Sequence, residues 1–413
     1  MVSLSRSWPR VTVVTAAILV PIAVLAVVGM VLLWPSGARS AAQQGAAIVG
    51  TDYPSARVIA SAMGTCQATE ENRLPDGTVP ATADCLSVRA TVTSGAHAGS
   101  IVNVYATPPL QVTDVPVGTA ITLEHFPAAP GAPETWTWHD FARTTPLLTL
   151  AAIFALVTIA VAQMRGLRAL IGLTIAFTVI AAFLLPALLA GKNPVIVGLV
   201  ASSLIMFVVL YLAHGLTLQT SSALLGTLAG LGVTAALGVA AASAAHINGA
   251  VSEDSNRLAS LLGQTGSTGL RGIFLCGVVL AGLGVLNDVT VTQSSAVWEL
   301  RSADPTATRN DLFTRAMRIG RDHIASTIYT IAFAYAGASL PVLLLVEVYQ
   351  LPLIETLTSA EFAGEIVRTL VGSIGLVLAI PLTTAIAALM ATAGPATPLR
   401  RRHRQAAVLA HQH

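Results

Sequence analysis

The feature that most constrains this chain is a series of apolar runs, each about as long as a bilayer is thick. A membrane-spanning helix needs about 20 mostly apolar residues. A window of about 19 residues finds eight such runs: about Val11–Trp34, Pro146–Val161, Leu167–Leu189, Val195–Ala213, Ser221–Ala245, Gly272–Leu286, Ile324–Val346 and Ile366–Thr392. Charged residues are only 10% of the chain and hydrophobic ones 54%, whereas soluble domains carry about 25% charged residues. So few charges cannot coat a soluble globule, which excludes a soluble enzyme, a disordered chain and a coiled coil. The expected fold is a polytopic α-helical membrane protein with about eight transmembrane helices and a small β-rich extracytoplasmic domain between helices 1 and 2.

Arginine placement sets the expected orientation, because short cytoplasmic loops carry the excess of basic residues. Arg6 and Arg10 precede the first run. Counting crossings then puts Arg165 and Arg168, the loop from Glu299 to His323, and the tail with Arg400, Arg401, Arg402 and Arg404 on that same side. The loop before the last run, with Glu347, Glu355, Glu361 and Glu365, falls on the other side. Both termini are therefore expected to be cytoplasmic in the cell membrane. The expected organisation is a cytoplasmic N-terminus (1–10), an anchor helix (11–34), an extracytoplasmic domain (35–145), a seven-helix membrane domain (146–392) and a basic tail (393–413). The first run exceeds the roughly 7–15 apolar residues of a signal-peptide core, so it reads as an anchor. A net charge of +2 gives no reason to expect nucleic acid as a partner, and the oligomeric state is left open.

Between residues 35 and 145 acids outnumber arginines. Alternation in Leu86–Val92, Ser100–Tyr105 and Thr119–Glu124, with Gly, Pro and Ser between, is the pattern of short antiparallel strands. Thr91–Ser100 reads as a hairpin turn. Cys66 and Cys85 are a disulfide candidate in an oxidising compartment. Trp136 and Trp138 suit an interfacial aromatic anchor. This domain reads either as a passive cap or as a surface for an external ligand or partner protein.

Candidate chemistry concentrates in Gly282–Arg301. On a helix, Gly284, Asp288, Thr292, Ser295 and Glu299 share one face, with Asn287, Thr290, Gln293 and Ser294 nearby. A carboxylate at membrane depth is costly, about 2.5–3.5 kcal/mol on insertion scales, and marks a functional site by default. Asp288 is thus a candidate for binding a coupling proton or cation, with the neighbouring hydroxyls and amides completing an oxygen cage. The competing reading makes Asp288 an interfacial cap on a helix ending near Leu286. Gly277, Ala281 and Gly284 would admit a close helix neighbour. A second cluster, Arg321, Asp322 and His323, offers Asp322 as a helix-start residue, or Arg321 and His323 as partners for Asp288 or Glu299. His214 and His246 read as interfacial, and Gly226–Gly230 as a weak close-packing motif.

Enzyme signatures are missing. Gly263–Gly269 lacks the Lys-Ser/Thr of a phosphate-binding loop, and there is no HExxH, paired CxxC or GxSxG. No enzyme activity, cofactor or metal site is expected.

The runs Leu283–Arg301 (LGVLNDVTVTQSSAVWELR), Phe183–Pro194 (FLLPALLAGKNP), Gly320–Ser326 (GRDHIAS) and Glu365–Pro381 (EIVRTLVGSIGLVLAIP) resemble the YibE/F family of multi-pass bacterial membrane proteins, in an actinobacterial-type form. The resemblance covers about Leu147 to Leu389. It implies an integral membrane protein without an established substrate. It also places the family's carboxylate on Asp288, preceded here by Asn287 where other members carry an acid or Met, which weakens any two-carboxylate mechanism. Two function classes follow: a secondary transporter or permease built around Asp288, or a membrane scaffold or sensor whose β-domain meets a ligand or partner protein.

Overall fold

The computed structural model describes residues 10–35, 51–68, 72–74, 77–106, 110–128, 131–250, 253–261, 267–348, 350 and 352–393. Arg6, the tail from 394 to 413 and most of Gly263–Gly269 lie outside these residues. The chain forms two compact units, Gly45–Thr158, and Met1–Gln44 together with Ile159–His413.

The smaller unit is an antiparallel sheet of β1 (Ser55–Gln67), β2 (Thr82–Val92), β3 (Ile101–Ala106), β4 (Ala120–Phe126) and β5 (Thr135–Phe141), ordered β3-β2-β1-β4-β5. Its edge strands β3 and β5 touch, so the sheet curls toward a barrel. Successive strand side chains point to opposite faces. Leu86, Val88, Ala90 and Val92 on β2 therefore share the core with Ile121 and Leu123 on β4. The expected hairpin joins β2 to β3, with Gly95 (φ 83°) and Gly99 (φ 94°) in the left-handed region that glycine enters without strain.

Cys66 pairs in register with Ala83, and Cys85 with Gly64, so the two cysteines are diagonal neighbours on one face. Both thiols are free. Trp136 and Trp138 belong to the sheet. Both sit in β5 and pack against the sheet's core.

The larger unit is helical. It contains α1 (Arg10–Leu33) and most of α2 (Thr144–Val179), which leads through a π-turn at Ile180–Leu184 into α3 (Leu185–Leu189). Then follow α4 (Pro194–His214), α5 (Leu218–Ala244), α6 (Glu253–Leu261), α7 (Ser267–Ala303), α8 (Arg309–Ala338), α9 (Leu340–Val348), α10 (Leu353–Leu357) and α11 (Ala360–Ala393). The turn before α4 is closed by Asn193, whose side chain accepts hydrogen bonds from the backbone N–H of Val195 and Ile196, with Pro194 at the first helical position.

Among the described residues, six helical runs are long and apolar enough to cross a membrane, or up to seven if the bent pair α8–α9 (65°) counts as one span. The expected count of eight is not reproduced, for two reasons. The runs Pro146–Val161 and Leu167–Leu189 join in one helical stretch, Thr144–Leu189, broken at Gln163 (φ 52°, ψ −133°). The helix that holds the seventh expected span begins earlier, at Arg309, takes in Asp311, Arg315, Arg318, Arg321 and Asp322, and passes as a span only together with the bent-off α9.

Helices α5, α7 and α11 pack on one another; α4 lies on α7, α1 on α4, and α8 on α11. Close approach depends on missing side chains. A Cβ on Gly226 would come within 2.1 Å of Thr383 Oγ1, and one on Gly375 within 2.1 Å of Thr234 Oγ1. The weak Gly226–Gly230 motif is thus a true contact face, with Gly230 against Leu286 and Ala379. Gly277 and Gly284, expected to do the same on α7, have nothing within 4 Å of where a methyl group would sit, because they lie on that helix's open face. Large apolar side chains point outward, with Leu25 68%, Leu32 72% and Phe333 74% exposed. A helical surface this apolar belongs in a bilayer.

Candidate functional site

The α7 segment from Asp288 to Glu299 divides by helical angle. Its buried side faces α5, α8 and α11. Thr290 Oγ1 pairs with Thr227 Oγ1 at 2.6 Å, and Ser294 Oγ with Ser222 Oγ at 2.7 Å. Gln293, 3% exposed, donates from Nε2 to the Ala316 carbonyl (2.9 Å) and to Thr384 Oγ1 (2.8 Å). These groups are used in joining helices, where hydroxyls and amides act as polar contacts between apolar surfaces. The expected oxygen cage around Asp288 is therefore not formed. Thr290 and Gln293 point away from it, and Asn287 Oδ1 is buried without a partner.

The opposite side carries Asp288, Thr292, Ser295 and Glu299, as the spacing predicts. Asp288 does not cap a helix end, since α7 continues to Ala303. Its side chain is 72% exposed, and its Oδ2 lies 3.8 Å from His323 Nε2 on α8. Thr292 Oγ1 donates to the Asp288 carbonyl at 2.6 Å. His323 is thus the member of the second cluster that reaches Asp288. Arg321 and Asp322 are exposed on α8. Asp322 does not start a helix: Thr308 and Asp311 form the capping box of α8, several turns earlier.

Ser295 and Glu299 open into a cavity of about 540 Å³ whose wall also includes Arg165, Arg168, His214 and Gln219. Ser295 is held by Gln219, whose Nε2 donates to its Oγ at 2.8 Å. The arginines come from α2 just after the break at Gln163, and His214 from the last turn of α4. In the sequence Arg165 and Arg168 read only as an orientation signal, and His214 as interfacial. Nothing in one sequence places these three on one cavity wall with Glu299, because that wall joins helices more than 80 residues apart.

The YibE/F-like protein family model matches residues 150–393, which contain the cavity and the whole α7 stripe. The chain belongs to the YibE/F-like family. No curated protein and no solved structure matches it.

Proposed function

We propose that this YibE/F-like chain is a secondary permease for a small anionic or zwitterionic solute, working in the cell membrane with both termini cytoplasmic. The observation that supports this reading is the charged cavity in an otherwise apolar bundle. Its about 540 Å³ falls within the roughly 300–1,000 Å³ of small-molecule sites. Two arginines and one carboxylate on the same cavity wall suit a carboxylate or phosphate group, which arginine recognises in a fork geometry. Glu299 would meet a cationic end or carry the coupling proton. Asp288 lies on the same α7 face, seven residues and about 10 Å from Ser295 at 1.5 Å per residue. With His323 beside it, Asp288 is the second candidate for a coupling proton or cation.

A thermal-stability screen of purified protein against small carboxylates, phosphates and amino acids tests the reading. A solute at 100 times its dissociation constant adds about 2.7 kcal/mol to the native state. Stabilisation by one solute class, lost in Arg165→Gln/Arg168→Gln, supports the permease. If no solute stabilises the wild type, and deleting the β-domain rather than changing the cavity abolishes function in cells, the chain is instead a scaffold or sensor.

A further inference from the structure

On β4 the inward positions run Ile121, Leu123, His125, and the third, a histidine, is only 5% exposed. Its Nδ1 lies 2.5 Å from Asp52 Oδ1, and Asp52 and His125 also exchange both backbone hydrogen bonds (3.2 and 3.0 Å). This partner orients the ring. A neutral imidazole carries one N–H, and with that proton on Nδ1 directed at Asp52, Nε2 presents a lone pair. That lone pair faces Glu134 Oε1 at 3.0 Å. Two acceptors do not rest at that distance without a cation between them, either a second proton or a metal ion.

The surroundings favour a metal. His97, on the β2–β3 hairpin, brings a third donor, and the ligand atoms of His97, His125 and Glu134 all lie within 4.8 Å of one another. Ligand bonds of about 2.0–2.2 Å in tetrahedral geometry put donor atoms about 3.3 Å apart, close to the His125–Glu134 separation. Trp136 stacks on His125 with centroids 4.2 Å apart and meets His97 edge-on at 5.5 Å, while its Nε1 donates to Glu134 Oε1 at 3.0 Å. Carboxylate–histidine–metal relays of the Asp52–His125 kind are the usual support of a metal-bound imidazole.

We propose that the β-domain binds a divalent zinc-class cation through His97, His125 Nε2 and Glu134, oriented by Asp52, with a fourth position open to water or a ligand. Two imidazoles and one carboxylate make a donor set of intermediate softness, suited to Zn²⁺ rather than to Ca²⁺ or Mg²⁺. The sequence holds no local motif for it, because the three donors come from three different segments of the curled sheet. The proposal is independent of the permease reading.

The test is chelator-stripped full-length protein in detergent, titrated with Zn²⁺ and with Co²⁺ as a spectroscopic stand-in. The expected result is one ion per chain, a rise in melting temperature with Zn²⁺, and a visible Co²⁺ band of tetrahedral type. Because His97 and Glu134 are exposed, His97→Ala and Glu134→Gln should fold normally and weaken binding at least tenfold. Asp52→Asn should weaken it about 10–100-fold, as outer-shell changes do. Absence of stoichiometric binding to the wild type, or binding unchanged in His97→Ala/Glu134→Gln, would overturn the proposal.

Discussion

Gln219 Nε2 donates to Ser295 Oγ at 2.8 Å, which ties the first turn of α5 to the wall of the charged cavity on α7. Two further contacts, Ser222–Ser294 and Thr227–Thr290, continue the seam along the same pair of helices. Hydrogen bonds of this kind between membrane helices contribute about 0.6 kcal/mol each on average. Gln219→Ala and Ser295→Ala should each lower stability slightly, and a double-mutant cycle in detergent should give a coupling of about that size. Strictly additive losses would show that the bond is not made.

The apolar runs, the strand alternation and the polar face of α7 are legible in the sequence, since each is a local periodicity of 2 or 3.6 residues set by backbone geometry. What each face meets is not local. Thr290 and Gln293 look as suitable for a cation as Ser295 does, until α5, α8 and α11 are in place to claim them. Arg165 and Arg168 pass as topology signals because Glu299, on the same cavity wall, lies more than 130 residues away. His125 gives no signal of its own, because a single histidine at the end of an alternating strand has no motif spacing.

The glycine contacts predict a steric penalty. Gly375→Ala would put a Cβ within 2.1 Å of Thr234 Oγ1, and Gly226→Ala one equally close to Thr383 Oγ1. Overpacking of this kind costs about 1–3 kcal/mol. Both variants should melt at lower temperature than wild type, whereas Gly284→Ala, with nothing within 4 Å, should not.

Burial, and next the hydrogen bond to Cys66, push the Cys85 thiol up to about 11. The thiolate is the reactive form, so Cys85 in the folded protein should resist alkylation from neutral pH to well above the ordinary thiol range. After denaturation without reductant, mass spectrometry should find both Cys66 and Cys85 alkylated. A pair that stays blocked until reduced would mean a disulfide.

Asp304 follows α7. Hydrogen bonds from the Thr306 hydroxyl and backbone N–H, then from Arg315, hold its carboxyl below the usual carboxylate range. A lowered folded-state value means its stabilising effect is present above the unfolded-state pKa, about 3.9, and is lost as pH falls through the lower folded value. The melting-temperature gap between wild type and Asp304→Asn should therefore be widest near neutral pH and close in acid. A gap that stays constant down to strongly acidic pH would contradict the assignment.

The central claim is that the cavity of Arg165, Arg168 and Glu299 carries a solute across the membrane. The most direct measurement is efflux from proteoliposomes loaded with a mixture of small carboxylates, phosphates and amino acids, read by mass spectrometry with and without a pH gradient. The account predicts that one anionic or zwitterionic class leaves faster through the wild type than through empty liposomes. It also predicts that Arg165→Gln/Arg168→Gln abolishes this flux and that Glu299→Gln or Asp288→Asn removes its dependence on the gradient. Equal efflux from wild-type, variant and protein-free liposomes would contradict it.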